Sequence, residues 1–201
     1  MININTKADI IIPFSTLGEE GWQANTTLIL QALADNWTQD LAKPISAESI
    51  AALEARLGTT LPDSLALFYR TFGIANIGEE LQDFSHMGWI KDIWEDSPYG
   101  PVFTDEDQKY LPFLISFSDY LGNGNMFCFH SETKEIYYYD HDTRPYLTKL
   151  FGDAGDYLKG CLINCQSDLY GPETDQEQVE AWCEEILDEL YGSAVVEKWR
   201  Y

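Results

Sequence analysis

The chain has 201 residues, 45% of them hydrophobic and 14% aromatic, so it can bury a sizeable core and is not disordered by composition. Thirty-four acidic residues against twelve basic give a net charge of −22. That balance repels nucleic-acid backbones and anionic membranes and makes a basic partner the compatible class, although plain solubility explains acidity as well.

No positively charged start precedes an apolar segment, and the apolar run at 8–14 contains Pro13 and is too short to span a bilayer. A cytoplasmic location without membrane contact is the expectation. Residues 1–24 read as an edge strand or irregular lead-in, broken at Gly18 and Gly21. Leu28, Leu33, Trp37 and Leu41 predict a first helix over 26–41. Ile50, Leu53 and Leu57 then share one helical face, with Ser46 as N-cap and Gly58 at the left-handed end. Pro62 is preset for a first turn, and Leu65, Phe68, Tyr69 and Phe72 form a second stripe closed by Gly73. The two stripes predict a helical hairpin over one apolar seam.

Residues 74–110 carry the weakest pattern, interrupted by Gly78, Gly88, Pro98, Gly100 and Pro101. Phe84, Met87, Ile90, Ile93 and Trp94 fit one short helix, or a strand followed by a helix. Runs at 111–117, 125–130 and 135–140 are rich in β-branched and aromatic types and predict three strands, the last two joined by a hairpin at 131–134. Leu147, Leu150, Phe151, Ala154, Leu158, Cys161, Leu162 and Cys165 predict a helix over 147–165. Thr174 and Glu177 suggest a capping box for a last helix over 175–191, with Val179, Trp182, Cys183, Ile186, Leu187 and Leu190 on its apolar face. The four cysteines lie in apolar or helical segments without a C-x-x-C pair, which favours buried reduced thiols.

Little of this is chemistry. Asp140-His141-Asp142 tempts as an acid–base or metal cluster, but strand alternation turns His141 away from both neighbours. His86 and His130 are isolated, and Cys128 sits between Phe127 and Phe129 with no basic neighbour to activate it. There is no nucleophile elbow, P-loop or GxGxxG, and Asp105-Glu106-Asp107 lacks the spacing of a calcium loop. The expectation is no catalytic residue, no metal, no cofactor and no small-molecule ligand. What remains is an acidic insert with nine carboxylates against Lys91 alone between Glu79 and Asp107. Its candidate partner-binding residues are Glu79, Glu80, Asp83, Trp89, Asp92, Trp94, Asp96, Asp105, Glu106 and Asp107. The two tryptophans fit the core of a local helix first, and the anchors of an interface as the alternative.

The order of these motifs resembles a known family. Leu53-Glu54, Leu57-Gly58, Leu61-Pro62, Phe68-Tyr69 and Gly73 are similar to the opening of the SUKH superfamily. That superfamily takes in the Smi/Knr-type cell-wall assembly regulators of fungi and many bacterial toxin-immunity proteins. Leu111-Pro112-Phe113, followed by Gly122-Asn123-Gly124-Asn125-Met126-Phe127-Cys128-Phe129, resemble its Pro-Phe strand and its Gly-rich turn into a second strand. Ile136-Tyr137-Tyr138-Tyr139-Asp140-His141-Asp142 resembles its third strand with a polar end. The resemblance implies an α+β fold, a mainly antiparallel sheet packed against several helices, with an extra C-terminal helix. The chain reads as a single domain over 1–201, with a family-like core at about 45–165, an N-terminal extension at 1–44 and a C-terminal helical extension at 166–201. It implies an immunity protein that binds a cognate basic toxin domain without catalysis. Nuclease toxins are the typical targets, and their cationic grooves complement −22. A regulatory or scaffolding module is the alternative implied function. A hydrolase using Asp140-His141-Asp142 is the remaining one.

Overall fold

A computed structural model describes residues 2–94, 101–119 and 123–200, with the side chain of Trp94 outside the description. Asp96 and Gly122 also fall outside the described residues. The chain divides into two compact units, one comprising Lys43–Ile74 and Glu79–Ala154, the other Met1–Ala42, Ala75–Gly78 and Gly155–Tyr201.

The first unit is an antiparallel sheet with helices packed against it. Its helical hairpin is α2 (Ala47–Leu57) and α3 (Asp63–Phe72). Ser46 caps α2 by accepting the Ser49 N–H at 3.1 Å, and Gly58 ends it at φ 72°, where a side chain would be strained. Pro62 takes the N-cap position of α3 rather than its first turn. Ile50, Leu53, Leu57, Leu65, Phe68 and Tyr69 are the buried stripe, as their spacing predicts.

The strands are β1 (Glu80–Leu81), β2 (Gly88–Trp89), β3 (Leu114–Asp119), β4 (Met126–His130), β5 (Ile136–Tyr139) and β6 (Leu147–Phe151), with the short helix α4 (Ile90–Trp94) after β2. The order is β1-β3-β4-β5-β6, and β2 also pairs with β3. Phe127 faces Tyr138 and Phe129 faces both Ile115 and Ile136, which sets one face of the sheet. Met126, Cys128, Tyr137, Tyr139 and Leu147 line the other, covered by Ile90, Leu111 and Tyr146 with Phe103 and Tyr110. Burial on both faces explains why β4 and β5 read as nearly continuous apolar runs, while β3 buries Ser116 and Ser118 among its apolar residues.

Residues 147–151 correct the sequence reading. They form an edge strand with Leu147 and Phe151 buried and Lys149 exposed, and only Ala154–Asn164 is helical. Leu147, Leu150 and Phe151 fit a helical period, but the β-branched Thr148 and the break at Gly152 favour the extended form. The 111–117 segment is also split. Leu111–Phe113 is a 3-10 turn, and pairing starts at Leu114.

The second unit is helical. It holds α1 (Trp22–Trp37), nearly all of α5 (Ala154–Asn164), α6 (Gln176–Tyr191) and α7 (Ser193–Arg200). The N-terminal lead-in is irregular, with a 3-10 turn at Lys7–Asp9 and one parallel bridge from Ile4 to Tyr170. Helix α1 starts and stops four residues earlier than its spacing predicts. Its core face is Ile29, Leu30 and Leu33, while Leu28 is exposed. Buried Gln166 pairs with Ile11 as a strand would, accepting its N–H at 2.9 Å and donating to its carbonyl at 2.8 Å. Asp175, not Thr174, caps α6 by accepting the Gln178 N–H at 2.9 Å. Thr174 instead donates its hydroxyl to the Ile4 carbonyl. Among the described residues, no helix is long and apolar enough to cross a membrane.

Candidate functional site

The acidic insert becomes the split outer strand of the sheet. Glu80 and Leu81 pair with Asp119 and Ser118, while Gly88 and Trp89 pair with Ser116 and Ile115. Both short strands therefore lie on the side of β3 away from β4. The Ser118 hydroxyl donates to the Glu80 carbonyl at 3.1 Å and the Ser116 hydroxyl to that of Gly88 at 3.3 Å. Two two-residue strands separated by a turn make a poor template for further pairing, so this edge offers side chains rather than a row of open backbone groups.

The intervening turn is clamped from two sides. Asp83 accepts the Ser85 N–H at 2.9 Å and its hydroxyl at 2.8 Å, and these bonds hold its carboxyl below the usual carboxylate range. Arg56, on α2, donates from Nη2 to the carbonyls of Phe84 and Met87. The Phe84 ring meets Tyr69 of α3 edge-on at 5.3 Å. Arg56 is the residue that the sequence reading passed over; a lone Arg on an exposed helix position carries no one-dimensional sign of a long-range contact.

The structure separates the ten candidate residues. Glu80, Asp83, Asp92, Asp105 and Glu106 are exposed, and Trp89 is half-buried. Ile93, beside Asp92, is 43% exposed. Helix α4 packs on β3 and on the Leu111–Phe113 turn, and the Asp107–Lys109 turn packs on that same turn. Asp105 and Glu106 belong to the same unit as Asp92, but on the loop whose Asp107 accepts the Leu147 N–H of β6, at the edge opposite β1 and β2. Glu79 and Asp107 are buried and present nothing to a partner. Asp107 accepts the Thr104 N–H at 2.8 Å, the Thr104 hydroxyl at 2.7 Å and the Leu147 N–H at 2.9 Å. It is a structural carboxylate that ties the loop over the sheet to the start of β6. The Thr104-x-x-Asp107 spacing was its available sign.

Asp140-His141-Asp142 is turn chemistry. Strand β5 ends at Tyr139, so alternation no longer governs these side chains, and Asp142 returns to within 3.4 Å of the His141 Nε2 instead of diverging. Asp140, however, is occupied elsewhere, accepting the Asp142 N–H at 2.9 Å and the Thr143 hydroxyl at 2.6 Å. His141 Nδ1 lies 2.6 Å from the Asn125 Oδ1. His130 stacks on Phe113 at 5.0 Å and accepts the N–H groups of Glu132 and Thr133 at its Nδ1, which closes the hairpin. Burial pushes the Cys128 thiol well up, and that of Cys183 to about 12, so both are protonated and poor nucleophiles. Tyr137 and Tyr139 are pushed up to about 12, also by burial. Among the described residues, no group of three or more His, Cys, Asp or Glu side chains is placed to hold a metal ion.

An antiparallel sheet backed by a helical hairpin, with several of its polar side chains spent on turns and exposed carboxylates on its split edge, defines an α+β domain whose accessible chemistry is surface charge and aromatic contact. The model of the SMI1 / KNR4 family (SUKH-1) matches residues 44–160, more than half of the chain, and the chain belongs to that family. No curated protein and no solved structure matches it. Membership supports a protein-binding role, in immunity or in regulation. Helices α6 and α7 lie beyond the matched region.

Proposed function

We propose that this chain is a cytoplasmic immunity protein that neutralises a cognate basic toxin domain, a nuclease in the simplest case, by binding it directly and occluding its active groove. The observation that carries the reading is the split edge of the sheet. It presents Glu80, Asp83 and Asp92 outward with Trp89 and Ile93, while the exposed Asp105 and Glu106 sit on the loop that Asp107 ties to β6 at the opposite edge. Exposed carboxylates around a partly apolar centre match the anatomy of an interface that steers a cationic partner in and then anchors it.

Family membership equally admits a regulatory module that binds signalling partners, and the matching family model bears the regulators' names. A growth assay separates the two. The chain is co-expressed with the C-terminal domain of a secreted protein encoded beside its gene. The expected result is that wild type restores growth, while Glu80→Lys with Asp92→Lys fails to do so at equal expression and unchanged circular dichroism. Absence of rescue by wild type ends the immunity reading. Full rescue by the double variant removes the edge as its site.

A further inference from the structure

Lys91 is the only basic residue between Glu79 and Asp107, against nine carboxylates. Yet among the described residues no carboxylate lies within ion-pairing distance of it. Its Nζ sits 5.3 Å from the centroid of the Trp89 ring. A cation with acidic neighbours in sequence that settles over an indole marks that face as a favourable seat for positive charge. The indole is firmly placed. Gly88 and Trp89 pair with Ser116 and Ile115, and the turn before them is pinned by Arg56 through the Phe84 and Met87 carbonyls. Trp89 is half-buried, so part of it reaches solvent, next to exposed Asp92 and Ile93.

We infer that the Trp89 ring is a cation subsite for an arginine or lysine side chain of a basic partner, and that Lys91 is an internal placeholder which the partner displaces. The inference rests on the edge proposed above as the binding surface and names its anchor. Arginine is the better occupant, because a planar, weakly hydrated guanidinium stacks on an aromatic face while nearby carboxylates accept its N–H groups. A second copy of this chain, itself at −22, is repelled from such a seat.

The test uses the full chain labelled with 5-fluorotryptophan and an octa-arginine peptide as probe. The Trp89 fluorine line is identified by its loss in Trp89→Phe. The expected result is a saturable shift of that line as peptide is added. Lys91→Ala should tighten binding roughly two- to fivefold, the range of one exposed cation–π contact. Lys109→Ala, which changes net charge equally on an exposed position elsewhere, should tighten it less. Peptide binding with a stationary Trp89 line rejects the subsite and leaves the acidic edge standing, as does equal tightening by the two lysine variants. Absence of binding to wild type rejects both the subsite and the edge.

Discussion

Asp107 shows how one buried carboxylate is tolerated in an apolar layer. Its side chain takes three hydrogen bonds, from the Thr104 N–H and hydroxyl and from the Leu147 N–H. A buried charge is stable only when its lone pairs are engaged in this way. Removing it orphans the Leu147 N–H at the start of an edge strand and frees the loop that carries Phe103 and Tyr110 over the sheet. Asp107→Ala should therefore cost about 2–4 kcal/mol of stability, the sum expected for lost charge-assisted bonds and stranded donors. Urea denaturation followed by far-ultraviolet circular dichroism measures it. Asp105→Ala, two positions away and exposed, is the control and should lie within about 0.5 kcal/mol of wild type. Equal effects would mean that Asp107 contributes only surface charge. The same residue shows what a linear pattern hides, since Asp105, Glu106 and Asp107 look alike as a run and differ entirely in burial.

Helix α6 carries the corresponding lesson for elements. Its existence follows from an eleven-residue apolar periodicity, but which stripe faces inward depends on tertiary contacts. Val179, Cys183 and Leu187 are buried, Trp182 is half-buried and Leu190 is 45% exposed. The Cys183 thiol, a group easily discounted as apolar, approaches the Ile163 carbonyl at 3.2 Å. Leu187→Ala should thus lower stability by about 2–5 kcal/mol, the range for a cavity left in a packed core. Trp182→Ala should cost less, despite removing a larger side chain. Paired thermal melts of the two variants decide the order; a larger loss from Trp182 would place the core face one position back. The helical hairpin was legible because caps, stripe and stop signals all agreed at Ser46, Gly58 and Gly73. Strand β6 was not, because Leu147, Leu150 and Phe151 satisfy a helical period and its pairing with β5 is set by distant residues. The split edge was legible as composition only. Pairing of β1 and β2 to β3 and the reach of Arg56 to the Phe84 and Met87 carbonyls have no signature in one dimension.

At the scale of the whole chain, a charge of −22 acts in two directions at once. Within the molecule the carboxylates repel one another, so added salt should raise the melting temperature by screening them. Toward a basic partner the same field accelerates encounter, and salt should slow association. Stopped-flow mixing with a catalytically disabled basic toxin domain should show the association rate falling roughly tenfold or more between about 20 and about 300 mM salt, with dissociation changing much less. Glu80→Lys with Asp92→Lys should slow association at low salt and flatten the salt dependence. Glu173→Lys with Glu197→Lys reverses two exposed carboxylates in the helical unit and changes net charge identically. Steering by a local edge predicts a clear difference between these two variants, because focusing falls off within a Debye length of about 8–10 Å. Equal slowing would mean that only the overall charge matters, and the split edge would lose its claim to the partner even with the family assignment intact.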